Sequence, residues 1–113
     1  MRHKLDQNKD INVLRIEEQR LDSNVAPSLK AELLKLYDEE ASKVLIDLGG
    51  VDYADSSGLG AILLGIRQAT DNGGACKLVN VNTRVLSLIK IARLDHIIEA
   101  FDDESEAIAS FQG

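Results

Sequence analysis

Apolar residues crowd INVLRIEEQ (11–19) in the manner of an extended strand, and a weaker strand pattern near HKLDQ (3–7) predicts a hairpin with it. The pattern then changes period. RLDSN (20–24) gathers Asp, Ser and Asn ahead of VAPSLKAELLKLYDEE, where Ala26, Leu29, Leu33, Leu36 and Tyr37 recur at helical spacing. Pro27 suits a first turn, because amides there have no intrahelical partner. VLIDL (44–48) is apolar on both faces except at Asp47, which predicts a strand covered on both sides. A second helical stripe runs through Leu59, Ile62, Leu63, Ile66 and Ala69 until Asp71-Asn72-Gly73-Gly74 stops it. CKLVNV (76–81) predicts a buried strand. Asn82-Thr83 cap a helix carrying Val85, Leu88, Ile89 and Ala92, and HIIEAF (96–101) predicts a further strand. Asp103, with Glu106 three residues on, resembles a capping box opening a last helix packed through Ile108 and Phe111.

The predicted order is ββαβαβαβα. Strands alternating with helices imply right-handed crossovers and a parallel sheet, with the hairpin adding an antiparallel edge. The fold class is α/β, with a mixed, largely parallel sheet of four to five strands and about four helices. Residues 1–113 are expected to form one domain.

Composition narrows the function. A 44% hydrophobic fraction supports one core, and 4% aromatics without Trp offer no stacking platform for single-stranded nucleic acid. Net charge is −6 with no Lys/Arg cluster, so neither nucleic acid nor an anionic membrane is an expected partner. MRHKLDQNKD has no apolar run of the kind a signal peptide needs, and AILLGI is far too short to span a bilayer. Cys76 is the single cysteine, expected as a buried hydrophobe in a reducing cytoplasm.

The candidate chemistry lies in VDYADSSGLG (51–60). VDYAD is too broken to be a strand, yet the segment leads directly into the second helix, the place where sites gather in open α/β sheets. Three readings compete. Ser56 or Ser57 can be a plain N-cap with Asp55 complementing the dipole, although this leaves Gly58 and Gly60 in the first turn unexplained. Ala54-x-Ser56-x-Gly58 is one substitution from a nucleophile elbow, but the only histidines are His3 and His96, and residues intervene after Leu48. A phosphate cradle lacks its third glycine and its lysine. The last reading is a phosphoacceptor serine, exposed at a helix start where a phosphate meets free amides.

D-S-S-G-L-G after a buried strand resembles the signature of STAS domains, specifically the bacterial anti-sigma factor antagonists (anti-anti-sigma factors). R-L-D-S-N at 20–24, I-D-L at 46–48 and A-R-L at 92–94 extend the resemblance over nearly the whole chain. It implies a STAS-like fold without enzymatic activity or cofactor. It implies a partner switch in which the unphosphorylated protein binds an anti-sigma factor that is also a GHKL-type serine kinase, releasing a sigma factor. A PP2C-type phosphatase reverses the modification. On this likeness Ser56 is the phosphoacceptor, Asp55 presents it, Ser57 is the capping neighbour, and Gly58, Leu59 and Gly60 form the contact surface. Asp22, with Ser23 beside it, matches positions near the acceptor, and Leu94 an apolar position at the partner interface. Two departures are Arg20, where a glycine is common, and Ala54, where a larger apolar residue is common. STAS domains also serve as scaffolds in stress-sensing assemblies and as small subunits of lipid-transport ABC systems. Many transport-type versions lack the serine, which favours the switch.

Overall fold

The computed structural model describes residues 1–112. The hairpin forms as expected from β1 (His3–Asn8) and β2 (Ile11–Ile16), turning through Lys9 at φ 58°. There follow β3 (Arg20–Leu21), α1 (Ala26–Asp38), β4 (Lys43–Asp47), β5 (Tyr53–Ala54), α2 (Ser56–Asp71), β6 (Ala75–Val79), α3 (Thr83–Ile91), β7 (Ala100–Phe101) and α4 (Glu104–Ser110). The main sheet has five strands in the order β1-β2-β4-β6-β7, antiparallel at β1–β2 and parallel elsewhere. This is the mixed α/β architecture read from the pattern.

The alternation of β4 and β6 divides the apolar residues between two faces. Leu14, Val44, Ile46, Cys76 and Leu78 join α1, α2 and α3 in the larger core, while Ile11, Val13, Leu45 and Val79 lie under Ala107 and Ile108 of α4. Cys76 is buried there, and desolvation pushes its thiol up to about 12, which keeps it protonated. Tyr37 donates its hydroxyl to the Gly65 carbonyl at 2.8 Å and ties α1 to α2. The α2 stripe is wider than its sequence period, because the helix meets both the sheet and α1. Gly58, Ala61 and Gly65 join the buried set, while Leu63 stays half-buried. At its end Gly73 takes φ 76° and the Gly74 amide donates back to Ala69, the left-handed stop that Asn72-Gly73-Gly74 predicts.

Three expectations need correction. VDYAD does contain a strand: β5 pairs in parallel with β3, a second two-stranded sheet beside the first. HIIEAF is mostly not a strand. The Ile97 and Ile98 amides both donate to the Leu94 carbonyl, so a turn drops Ile98 into the core and leaves only Ala100–Phe101 to pair. RLDSN does lead into α1 as its pattern predicts, but through a turn at Asp22, since the N-cap residue is Val25 with no side-chain bond. Asp103 caps α4 through the Ser105 amide at 2.8 Å, not through a reciprocal box with Glu106.

One network fastens α4 to the sheet. Arg15 donates Nε to Asp6 at 2.7 Å, Nη1 to Asp47 at 2.8 Å and to Glu104 at 2.7 Å. Lys77, nearly buried, donates to the Ser110 hydroxyl at 2.9 Å and sits 4.8 Å from the Phe111 ring centre.

Candidate switch site at the start of α2

The loop before α2 is stitched from both sides. On one side the amides of Asp52 and Tyr53 donate to the Gln19 carbonyl at 2.8 and 3.2 Å, and the Asp55 amide donates to Leu21 at 3.2 Å. On the other, Asn82 donates Nδ2 to the carbonyls of Val51 and Asp52 at 3.1 and 3.2 Å while its Oδ1 accepts the Val85 amide at 2.8 Å. One asparagine therefore caps α3 and straps the loop. Leu21, Val51 and Ala54 are buried beneath, so the loop is held on a packed floor.

The cap of α2 is Asp55, not either serine. Its backbone is extended at φ −114° and ψ −173°, and Oδ1 accepts the Gly58 amide at 3.0 Å. A carboxylate does this at the positive end of a helix dipole at least as well as a hydroxyl. Ser56 then takes the first helical position, exposed and with no hydrogen bond to its hydroxyl among the described residues. Ser57 is half-buried and follows it within the turn, so its expected capping role passes to Asp55.

The two glycines part company. A Cβ on Gly58 would run into the Leu21 carbonyl oxygen, so this glycine lets α2 press against β3. Leu59 is 4% exposed and points into the core. Gly58 and Leu59 are thus inward residues, a correction to their expected place on a contact surface. A Cβ on Gly60 would meet nothing within 4 Å, so Gly60 alone is bare backbone facing out.

Asp22 is brought to this site through β3, whose pairing with β5 carries the 20–22 segment alongside the loop before α2. Its Oδ1 accepts the Asn24 amide at 3.0 Å and its backbone carbonyl accepts from Val25 and Ala26, so it shapes the turn leading to α1. Ser23 is exposed in that turn. Arg20, unexpected at its position, stacks its guanidinium 4.5 Å from the Tyr53 ring centre and bridges to Asp22 at 3.5 Å. Leu94 lies just past the end of α3. Arg93 takes φ 60°, the Leu94 amide donates back to Ile89, and the side chain folds onto the main core as the apolar contact that ends α3.

Sequence reasoning missed Asn82's second role and an apolar groove of about 480 Å³ between β5 and α3, lined by Tyr53, Ala54, Val85, Leu88 and Ile91. The one available signal was Ile91, which falls off the α3 stripe and is 78% exposed. Neither histidine serves the serine. His3 on β1 faces Glu32 of α1 at 3.5 Å, and His96 is exposed in the turn after α3. No helix among the described residues is long and apolar enough to cross a membrane.

The sequence profile of the STAS domain matches residues 3–107. The TM1081 homolog of Thermotoga neapolitana, named after the anti-sigma factor antagonists, is 36% identical over 72 residues. That match spans 64% of each chain, less than two thirds of the relative's length. The anti-sigma-B factor antagonist of Bacillus subtilis is 34% identical over 79 residues, covering 70% of this chain and 72% of that protein. Among solved structures, the Bacillus cell fate determinant SpoIIAA in its phosphorylated form superposes with a TM-score of 0.73 at 20% identity, over 96% of this chain and 98% of that one. At that identity the likeness speaks to the fold.

Proposed function

Because the chain belongs to the STAS domain family, and within it to the anti-sigma factor antagonists, we propose that it is a partner switch thrown at Ser56. Unphosphorylated, it docks through the start of α2 on an anti-sigma factor that is also a GHKL-type serine kinase, and so frees a sigma factor in the cytoplasm. Phosphorylated on Ser56, it lets the kinase go, and a PP2C-type phosphatase restores it. The domain catalyses nothing. The observation that carries the reading is an exposed hydroxyl, unbonded within the described residues, at the first position of a helix whose capping duty Asp55 has taken over. That SpoIIAA has been solved phosphorylated is in keeping with it.

Energetics separate folding from binding. A phosphate on Ser56 gains about 0.3–1 kcal/mol from the dipole of α2, rising to about 2 in favourable geometry. Asp55 and exposed Asp52 oppose it by a similar amount through solvent. The two effects cancel approximately, and the fold survives. A docked partner fares worse, since covering a group of charge about −2 with a surface shaped for a neutral hydroxyl costs several kcal/mol, or two to three decades of affinity.

The test uses the purified anti-sigma factor kinase of the source bacterium. With ATP and Mg²⁺ it should place one phosphate, localised by mass spectrometry to Ser56. Modification mapping only to Ser57 or Thr83 would overturn the assignment. In calorimetry Ser56→Ala should stay bound and Ser56→Asp should bind at least about a hundredfold more weakly, and equal affinities would contradict the switch.

A further inference from the structure

The free edge of the sheet is self-complementary, and we propose that β1 pairs antiparallel with β1 of a second copy of this chain, joining two five-stranded sheets across a two-fold axis centred on Leu5. β1 is the outermost strand of the sheet, and all of it beyond His3 is exposed. The Glu17 amide donates to the Arg2 carbonyl, so in this ladder Arg2, Lys4, Asp6 and Asn8 spend their backbone groups on β2. His3, Leu5 and Gln7 therefore aim their N–H and C=O groups at the open edge, and none of these amides has an acceptor among the described residues.

That parity restricts how two copies can meet. Hydrogen-bonding residues must face hydrogen-bonding residues, so the two-fold axis can centre on Lys4, Leu5 or Asp6 only in registers that oppose His3, Leu5 and Gln7 to one another. Centring on Lys4 sets Lys4 against Lys4 at the axis, and the Arg2–Asp6 pairs it also forms draw on an arginine that lies outside β1 and already faces Glu18. Centring on Asp6 sets Asp6 against Asp6. Both oppose like charges on a non-hydrogen-bonded pair, where side chains come closest. Centring on Leu5 bonds Leu5 to Leu5 and His3 to Gln7, and sets Lys4 against Asp6 twice, once on each side of the axis.

Charges on edge strands ordinarily guard against pairing. Here they select one register and penalise its neighbours. Both groups are available: Lys4 and Asp6 side chains are 70% and 57% exposed, Lys4 reaches Glu17 only at 3.9 Å, and the Asp6–Arg15 bond uses Oδ2 and leaves Oδ1. Leu5, 46% exposed on the opposite face, gains an apolar contact with its own mate. An interface of one strand pair is smaller than a standard one, so the dimer should be weak and reversible. This pairing uses an edge that takes no part in the α2 site, and it stands or falls independently of the switch.

Sedimentation equilibrium from about 10 µM to 1 mM, the range in which so small an interface dissociates, tests it on the full chain. The wild type should show a monomer–dimer equilibrium that weakens with salt. Lys4→Asp and Asp6→Lys should each raise the dissociation constant at least about tenfold. Mixing the two variants should restore dimers as heterodimers, because each acid then meets a lysine. Leu5→Pro removes an amide that points away from β2, so it should abolish dimers while circular dichroism and melting stay near wild type. A wild type that is monomeric throughout, a dimer indifferent to Leu5→Pro, or a mixture of charge variants no more dimeric than either alone would overturn the proposal.

Discussion

Gly58 and Gly60 look alike in the sequence and do different work. With Leu21 backbone against it, Gly58→Ala should cost about 1–3 kcal/mol in a urea titration, as overpacking does. Gly60→Ala, with open space around it, should be neutral or gain up to about 1 kcal/mol of helix propensity while still obstructing a docked partner. Only the close approach of β3 tells the two apart, and no local pattern announces a two-residue strand. Asp47 is the other residue whose role the chain conceals. Burial pushes its carboxyl up, but hydrogen bonds from Asn80, the Gly49 amide and Arg15 outweigh this and hold it below the usual 3.8. A carboxyl depressed in the folded state stabilises the protein fully at neutral pH. That contribution is lost as pH falls below 3.8 towards the lowered value. Asp47→Asn should therefore melt lower than wild type at pH 7 and lose less on acidification. Parallel losses for the two proteins would refute this.

Helices and central strands were legible because each carries a long apolar stripe at one period. What was illegible was short or depended on a partner. β5 and β7 are two residues each, and the turn at Leu94–Ile98 replaces a strand only because Ile98 reaches the core. Asn82 caps α3, as its place before Thr83 predicts. Its amide's hold on Val51 and Asp52 needed the fold. Asn82→Ala should accordingly cost about 1–3 kcal/mol, since it removes a cap and leaves two carbonyls unpaired. Asp103→Ala, which only uncaps the short α4, should cost about 0.5–1 kcal/mol. Thermal melts of the two variants give the comparison, and equal costs would show that the strap carries no energy.

Across the whole molecule, the sheet and two cores form a packed floor, and the loop before α2 is pinned to it by β3 and by Asn82. D-S-S-G-L-G marks this loop in the sequence, where a serine looks like the cap and two inward residues look like surface. Both impressions come from taking the first turn of α2 in isolation from Leu21. A loop held this firmly should answer phosphorylation by changing what it can touch and not by unfolding. The most direct measurement is a pair of titrations of the anti-sigma factor kinase with protein stoichiometrically phosphorylated at Ser56 and with the unmodified form, alongside their melting curves. The account predicts binding by the unmodified form alone, a loss of at least about a hundredfold on phosphorylation, and melting temperatures within a few degrees. Equal binding by both forms, or a phosphorylated protein that no longer folds, would contradict it.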